Sequence, residues 1–449
     1  ICSKIYLMVR GGIIMEYIRR IVDDVIDKRT EAFNAVSITG PKGCGKTRTA
    51  KERCKTVIEF QDEDKRDGYI AVAETAPKLF LKNPKPILFD EWQDAVKIWG
   101  TIRKACDDSP EKVGEYYLPG SASQKLSTPH TGTGRITEVT MYPMTLFETG
   151  ESNGEISLSK ILNEKNYDID GIVSDLKLEN LFFAACRGGW PRCMALTKDT
   201  AKLEIAKDYY RQIYQKDISA IDGINRNPEW ARSLLWSYAR NMATSAKRKN
   251  IFADVKATQN VTDITLASYV DALEALFVVK DIDAWTPHLR SKTAIRSAKK
   301  HIFIDPSIGL AALGINPNYF INDLDLFGHV FENMVLRDLL VYAEKHNARL
   351  LHYTDDTGLE ADAVYQMADG KYALVEIKIG ANKIPEAEKS LLKFKDVIQK
   401  YNQKALASEK HPRDVYREPS ALIVICANAN MAYTTDSGVK IIPVGCLKD

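Results

Sequence analysis

The sequence predicts an α/β protein in three parts: a parallel-sheet domain first, a helical middle, and a second α/β domain at the C-terminal side. Three observations predict it. Gly40-Pro41-Lys42-Gly43-Cys44-Gly45-Lys46-Thr47 stands between an apolar strand pattern, Ala35 to Thr39, and the start of a helix. Ile87-Leu88-Phe89-Asp90-Glu91 is an apolar run that ends in two acids. After Asn322 a long helical pattern gives way to three strand patterns, a helix and a buried strand. A chain of 449 residues has room for about three domains. Its 45% hydrophobic and 27% charged residues suit a chain that buries a large core.

The first stretch matches G-x-x-x-x-G-K-[ST] at every fixed position, in the strand–loop–helix setting that the motif needs. Its glycines free the backbone to curl into a nest of N–H groups, and the helix N-terminus adds positive partial charge. Gly40, Pro41, Lys42, Gly43, Cys44, Gly45, Lys46 and Thr47 are therefore the candidate cradle of a nucleoside triphosphate, with ATP and Mg²⁺ as expected cofactors. Lys46 is placed to reach the β- and γ-phosphates, and the Thr47 hydroxyl to ligate Mg²⁺. A chance glycine-rich turn is the plain alternative.

Ahead of the loop, Met15 to Ile26 reads as an amphipathic helix, and the folded part is expected to begin there. Lys4 before Ile5 to Val9 leaves too short an apolar run for a signal-peptide core. No stretch approaches the ~18 apolar residues of a membrane span. The eight cysteines are scattered without a C-x-x-C pair, the pattern of free thiols in a reducing compartment. A cytoplasmic protein with no membrane partner is expected. A net charge of +2 by itself points to neither nucleic acid nor membrane.

Beyond the loop come a strand pattern at Thr56 to Phe60, a helix pattern at Tyr69 to Leu81, and the Ile87 run. A buried strand ending in Asp90-Glu91 delivers carboxylates to the sheet edge where the phosphates lie. Asp90 would hold Mg²⁺ through water, and Glu91 would polarise the attacking water. The plain alternative is a strand leaving the core. A helix from Asp94 to Ala105 and a strand at Tyr116 to Leu118 come next, running into Pro119-Gly120-Ser121-Ala122-Ser123. His130 to Arg135 then feeds a strand from Ile136 to Met141.

In this order, GPKGCGKT, ILFDEWQ, GSASQKL, HTGTGRI and MYPMTLFE resemble the prokaryotic AAA-type ATPases that carry a C-terminal domain of unknown function. Arg187-Gly188-Gly189-Trp190-Pro191 and His301-Ile302-Phe303-Ile304-Asp305 fit the same family, so the resemblance runs over nearly the whole chain from Met15. It implies an AAA-type ATPase domain over residues 15–150. In that family the strand before Gly-Ser usually ends in a threonine that senses the γ-phosphate. Pro119 stands there in this chain, which leaves Ser121 or Ser123 for the role. Arg135 resembles the family's arginine after the glycine loop. It is either an arginine finger or sensor for the γ-phosphate, or a solvated loop arginine. A finger acting in trans would make the protein a homo-oligomer.

The middle part, residues 171–320, reads as helical. Ile251 to Ala257 is a short helix, Thr262 caps a second with Leu266, Tyr269, Val270 and Leu273 at helical spacing, and Phe277 to Ile282 is a strand. That order makes a winged-helix candidate. Lys247, Arg248 and Lys249 precede it, and Arg290, Lys292, Arg296, Lys299 and Lys300 come after it. They form either a phosphate-contacting surface for DNA or RNA or the solvated rim of a packing module.

In residues 322–449, Glu332 shares a helix face with Val335, Leu336, Leu339 and Ala343. A carboxylate on an apolar stripe is costly unless something pairs with it. Asp362 lies on a strand thirty residues later, and Glu376 and Lys378 share one face of the next strand. Helix-Glu, strand-Asp and strand-Glu-x-Lys resemble the PD-(D/E)xK restriction-endonuclease-like core, in which carboxylates hold Mg²⁺ and the lysine activates water. The alternatives are the charged face of an edge strand, or a nuclease fold that docks a partner without cutting.

Overall fold

The computed structural model describes residues 7–9, 12–14, 16–120, 132–286, 298–355, 358–407 and 415–449. Ser121, Ser123, Arg290, Lys292 and Arg296 lie outside the described residues. Two short strands, β1 (Leu7–Val9) and β2 (Gly12–Ile14), pair antiparallel ahead of the first helix. That helix runs Ile21–Thr30, six residues later than the apolar periodicity predicts. The Asp23 carboxylate reaches back to the Arg20 N–H at 2.6 Å, closing the helix start and leaving Arg20 extended.

Five parallel strands come next: β3 (Ala35–Thr39), β4 (Thr56–Glu59), β5 (Ile87–Asp90), β6 (Tyr116–Pro119) and β7 (Ile136–Thr140). They lie in the order β4-β5-β6-β3-β7, so β6 separates the acid-tipped strand from the strand that feeds the glycine loop. Every residue of β3 is buried, as the continuous apolar run of a parallel strand requires. The helix predicted over Tyr69 to Leu81 is split into Arg66–Thr75 and a 3-10 turn at Pro77–Lys82. Pro77 brings no N–H and its ring crowds the turn before it, so the helix stops.

The middle part holds helices Leu178–Arg187, Asp199–Gln212, Pro228–Arg240, Arg248–Lys256, Asp263–Ala275 and Pro306–Leu313. Thr262 caps its helix as predicted, accepting from the Thr265 N–H at 3.1 Å. After that helix, β9 (Val279–Ile282) pairs antiparallel with β10 (Lys300–Phe303).

The last part opens with the Leu324–His346 helix and builds a sheet from β11 (Arg349–Thr354), β12 (Glu360–Gln366), β13 (Tyr372–Gly380), β14 (Ala421–Asn428), β15 (Tyr433–Thr434) and β16 (Lys440–Pro443). The order is β11-β12-β13-β14-β16-β15, antiparallel through β13 and parallel from β13 to β14 to β16. The Ile384–Ala407 helix makes the crossover between β13 and β14. Period two divides the sheet cleanly. Ala373, Val375, Ile423 and Ile425 face the apolar cluster that holds the Leu324–His346 helix, while Leu374, Leu422 and Val424 face the Ile384–Ala407 helix.

One apolar cluster reaches all three parts, beside separate clusters within the first part and under the Ile384–Ala407 helix. The cluster around the Leu324–His346 helix extends from Ile21 through Leu181, Leu234 and Phe303 to Leu447. β8 (Ile156–Ser157) pairs parallel with β17 (Leu447–Lys448), near the end of the sequence. Three segments of the family resemblance meet at a joint. The Gly189 N–H donates to Asp305 Oδ2 at 2.8 Å, and its carbonyl accepts from the Met144 N–H at 2.7 Å. A Cβ on Gly189 would lie 2.1 Å from the Met144 carbonyl oxygen, so only glycine fits there. Arg337 holds Asp305 at 3.1 Å, and Asp338 accepts from the Leu146 N–H at 2.9 Å. Among the described residues, no helix is long and apolar enough to cross a membrane.

Candidate functional site

The glycine loop leaves β3 between β6 and β7, at the carboxyl edge where open parallel sheets bind ligands. Gly40 has φ 144°, and a Cβ there would lie 2.1 Å from the Met141 carbonyl oxygen. Lys46 is buried, and its Nζ donates to the Gly40 and Pro41 carbonyls at 2.9 and 2.8 Å. The ammonium thus lies within the loop, tied to oxygens of the loop itself. Thr47 Oγ1 donates to Asp90 Oδ1 at 2.8 Å, joining the loop to the tip of β5. Burial raises the pKa of Asp90 against the opposing pull of that hydrogen bond. Glu91 comes next in a left-handed conformation, φ 49°, and accepts from the Gln93 side-chain amide. Lys42 points outward and pairs with Asp217 at 2.6 Å. Cys44 is buried. Pro119 ends β6 beside Ile38, so the hydroxyls proposed to replace its missing one fall just beyond the described strand.

Sequence reasoning missed the neighbours of this loop. Tyr17, Arg20, Gly45, Arg48, Met144 and Pro191 line a cavity of about 210 Å³ against its helix end. Arg20 donates to the Cys44 carbonyl and the Tyr142 carbonyl, at 2.9 and 3.0 Å, and pairs with buried Glu148 at 2.9 Å. The acid three residues after Arg20 was the available signal that the helix starts later and leaves 16–20 free to line a site.

Arg135 sits elsewhere. Its carbonyl accepts from the Ala35 N–H, at the end of β3 opposite the loop, about 17 Å of strand away. Its guanidinium pairs with Asp107 at 2.6 Å.

The four residues singled out in the last part do come together. Lys378 holds Glu376 at 2.6 Å and Asp362 Oδ2 at 3.2 Å. The same Asp362 oxygen accepts from the Ile377 N–H at 2.7 Å. Ser390 donates to Glu376 at 3.3 Å. The fifth member was misplaced by sequence reasoning. Lys300 is buried on β10, ion-paired with Glu332, 3.2 Å from the Asp362 carbonyl and 3.9 Å from its Oδ1. It is no surface contact for a phosphate. Two ammonium groups among three carboxylates form an ion-pair cluster, and among the described residues no group of three or more His, Cys, Asp or Glu is arranged to hold a metal.

Burial raises Glu332 to about 8 and Glu376 to about 7, with the Asp362 charge adding to both. Burial also acts on Asp362, but the charges of Lys300 and Lys378 and the Ile377 N–H outweigh it and hold its pKa below the usual range. A carboxyl with a raised folded-state pKa binds a proton that the unfolded chain has already released. Its contribution to stability is complete at low pH and is lost as pH rises through the folded value. Urea midpoints of the full chain should therefore fall between about pH 5 and pH 8, and the fall should be smaller in Glu332→Gln. An identical slope in the variant would show that Glu332 does not carry the proton.

Residues 32–150 match the family model of the AAA domain. Residues 178–319 match a domain of unknown function (DUF8612), and residues 327–447 a second domain of unknown function (DUF4143). No curated protein matches the chain. Among solved structures, a Walker-type ATPase of Pyrococcus abyssi is similar over 66% of this chain and 96% of its own length, at 13% identity and a TM-score of 0.39. Residues 32–150 thus form an AAA-type domain built around the Gly40–Thr47 P-loop.

Proposed function

We propose that the chain is a Mg²⁺-dependent ATPase whose nucleotide state is coupled to a nuclease-like C-terminal domain acting on nucleic acid. The Thr47–Asp90 hydrogen bond carries the ATPase reading, because it sets a hydroxyl and a half-buried carboxylate side by side under the phosphate loop. Those are the donors that suit Mg²⁺ in such a loop, and the nest of Gly40 to Gly45 suits the phosphates. Lys46 exchanges the Gly40 and Pro41 carbonyls for phosphate oxygens. Thr47 and Asp90 hold the cation, which when bound offsets the charge of the triphosphate. Glu91 orients the attacking water, and Ser121 takes the sensor place that Pro119 vacates. Arg135, turned away from its own loop, serves the nucleotide of a neighbouring copy, which makes the protein a homo-oligomer.

In the C-terminal domain, Glu332, Asp362 and Glu376 are the proposed metal carboxylates and Lys378 the group that activates water. The helix–strands–helix–strand order around them supports that reading. The Asp263–Ala275 helix with β9 and β10 supports a winged helix that tracks DNA or RNA. One observation favours a second reading, a nucleotide-gated scaffold that binds a partner without cutting: Lys300 fills the space between Glu332 and Asp362. Calorimetric titration of Mn²⁺ into the nucleotide-free full chain separates the two, with Asp362→Asn as control. The nuclease reading expects one site that the variant loses. Equal and negligible heats from both proteins would leave the scaffold.

A further inference from the structure

The middle part reaches over the phosphate loop at two consecutive residues. The Tyr209 hydroxyl lies where a side chain on Gly43 would be: an ideal Cβ there would sit 2.1 Å from it. Gly43 has φ 75°, and both facts demand glycine. Tyr209 is held in place by Trp190, edge to face at 4.7 Å between ring centroids, and Trp190 is anchored to Ser307 at 3.0 Å. Eight residues after Tyr209, Asp217 pairs with Lys42 at 2.6 Å. Between them the Asp199–Gln212 helix passes into a π-helical turn, Ile213–Asp217. Such a turn inserts an extra residue and rotates the next turn of helix, and such turns are frequent at functional sites.

We propose that this helix and its π-turn read the nucleotide state of the loop: Asp217 competes with the triphosphate for Lys42, and Tyr209 positions Gly43. The proposal rests on the reading of residues 40–47 as the phosphate cradle. Lys42 is a cation at the surface of that loop, its side chain more than half exposed while paired with Asp217. A triphosphate brings more negative charge to the loop than a diphosphate, so it competes more strongly for the ammonium. Each gain of Lys42 by the nucleotide is a loss for Asp217, and the π-turn is freed from the loop. The linkage is reciprocal: whatever weakens Lys42–Asp217 favours the triphosphate.

The test is calorimetric binding of ATPγS and ADP, each with Mg²⁺, to the full chain. Asp217→Asn should tighten ATPγS by about two- to fivefold, the range for an exposed ion pair, and ADP by less. Half-molar salt should shrink the difference. In a Lys42→Gln background, Asp217→Asn should change nothing, which closes a double-mutant cycle. Tyr209→Phe should keep the packing, whereas Tyr209→Ala should increase hydrogen exchange across residues 40–47 without nucleotide. Unchanged or weaker ATPγS binding by Asp217→Asn overturns the inference, as does an Asp217 effect that survives in Lys42→Gln. Lys46→Ala run alongside keeps the two levels apart. If it binds ATPγS like the wild type, the cradle reading itself has failed. If it loses binding while Asp217→Asn is silent, only the competition for Lys42 is wrong.

Discussion

Glu91→Gln should bind ATP as tightly as the wild type and turn it over about 10²–10⁴-fold more slowly, the usual range for losing a general base. Glu91 directly follows the Asp90 tip of β5 and accepts from the Gln93 side-chain amide, while Asp90 is engaged by Thr47, so the two acids have separate partners and the second is the proposed water-orienting group. The left-handed backbone at Glu91 turns its side chain out of the strand direction and supports the same role. Lys46→Ala is the complementary variant. It removes the ammonium from inside the loop and should abolish tight binding. Steady-state phosphate release and nucleotide titration measure both variants. Wild-type turnover by Glu91→Gln would remove Glu91 from the mechanism. The same assay across protein concentration tests Arg135. Activity per molecule should rise with concentration in the wild type, and Arg135→Ala should lower it at unchanged affinity. A flat specific activity far below micromolar protein would exclude an arginine donated between copies.

The second large effect is expected on stability. Asp362→Ala should cost about 3–5 kcal/mol, the range for breaking a buried ion pair from one side. The cost arises from the groups left behind. Lys300 is buried and would keep Glu332 alone, Lys378 would keep Glu376 alone, and the Ile377 N–H would lose its acceptor. Asp362→Asn keeps an oxygen for that N–H and should cost less. Urea unfolding of the full chain, together with exchange of amides in β12 and β13, reads the difference. A loss below about 1 kcal/mol in Asp362→Ala would show that water reaches the cluster and screens it.

The parts that were legible in the sequence are those whose signal is local. The glycine loop, the acid tip of β5, the Thr262 cap and the alternation in β13 each declare themselves within about ten residues. The start of the first helix was not legible. Tyr17, Ile18, Ile21, Val22 and Val25 continue one helical stripe, and only the Asp23 reach-back ends it at Arg20. Lys300 was read as surface because it stands in a basic run. Its partners Glu332 and Asp362 lie 32 and 62 residues away, beyond any pattern in one sequence. Tyr209 and Asp217 carry no motif at all, and their contact with Lys42 and Gly43 spans more than 160 residues. The shared cluster did leave a trace. The Leu324–His346 helix is apolar on nearly every side, from Phe327 and Val330 to Tyr342, which marks a helix surrounded by protein.

That helix has a further consequence. It carries Glu332 toward β10 and the last sheet, and one and a half turns later Arg337 and Asp338, which grip Asp305 and the backbone of Leu146. The two grips are about 8–9 Å apart along a rod that does not stretch. A chain built this way cannot exchange its ends freely. A replacement for either terminal module must reproduce the same spacing and the same apolar girth, or it leaves buried charge unmatched at the other grip. The modules therefore fit as a set, and a substitution at one grip is felt through the fit of the others.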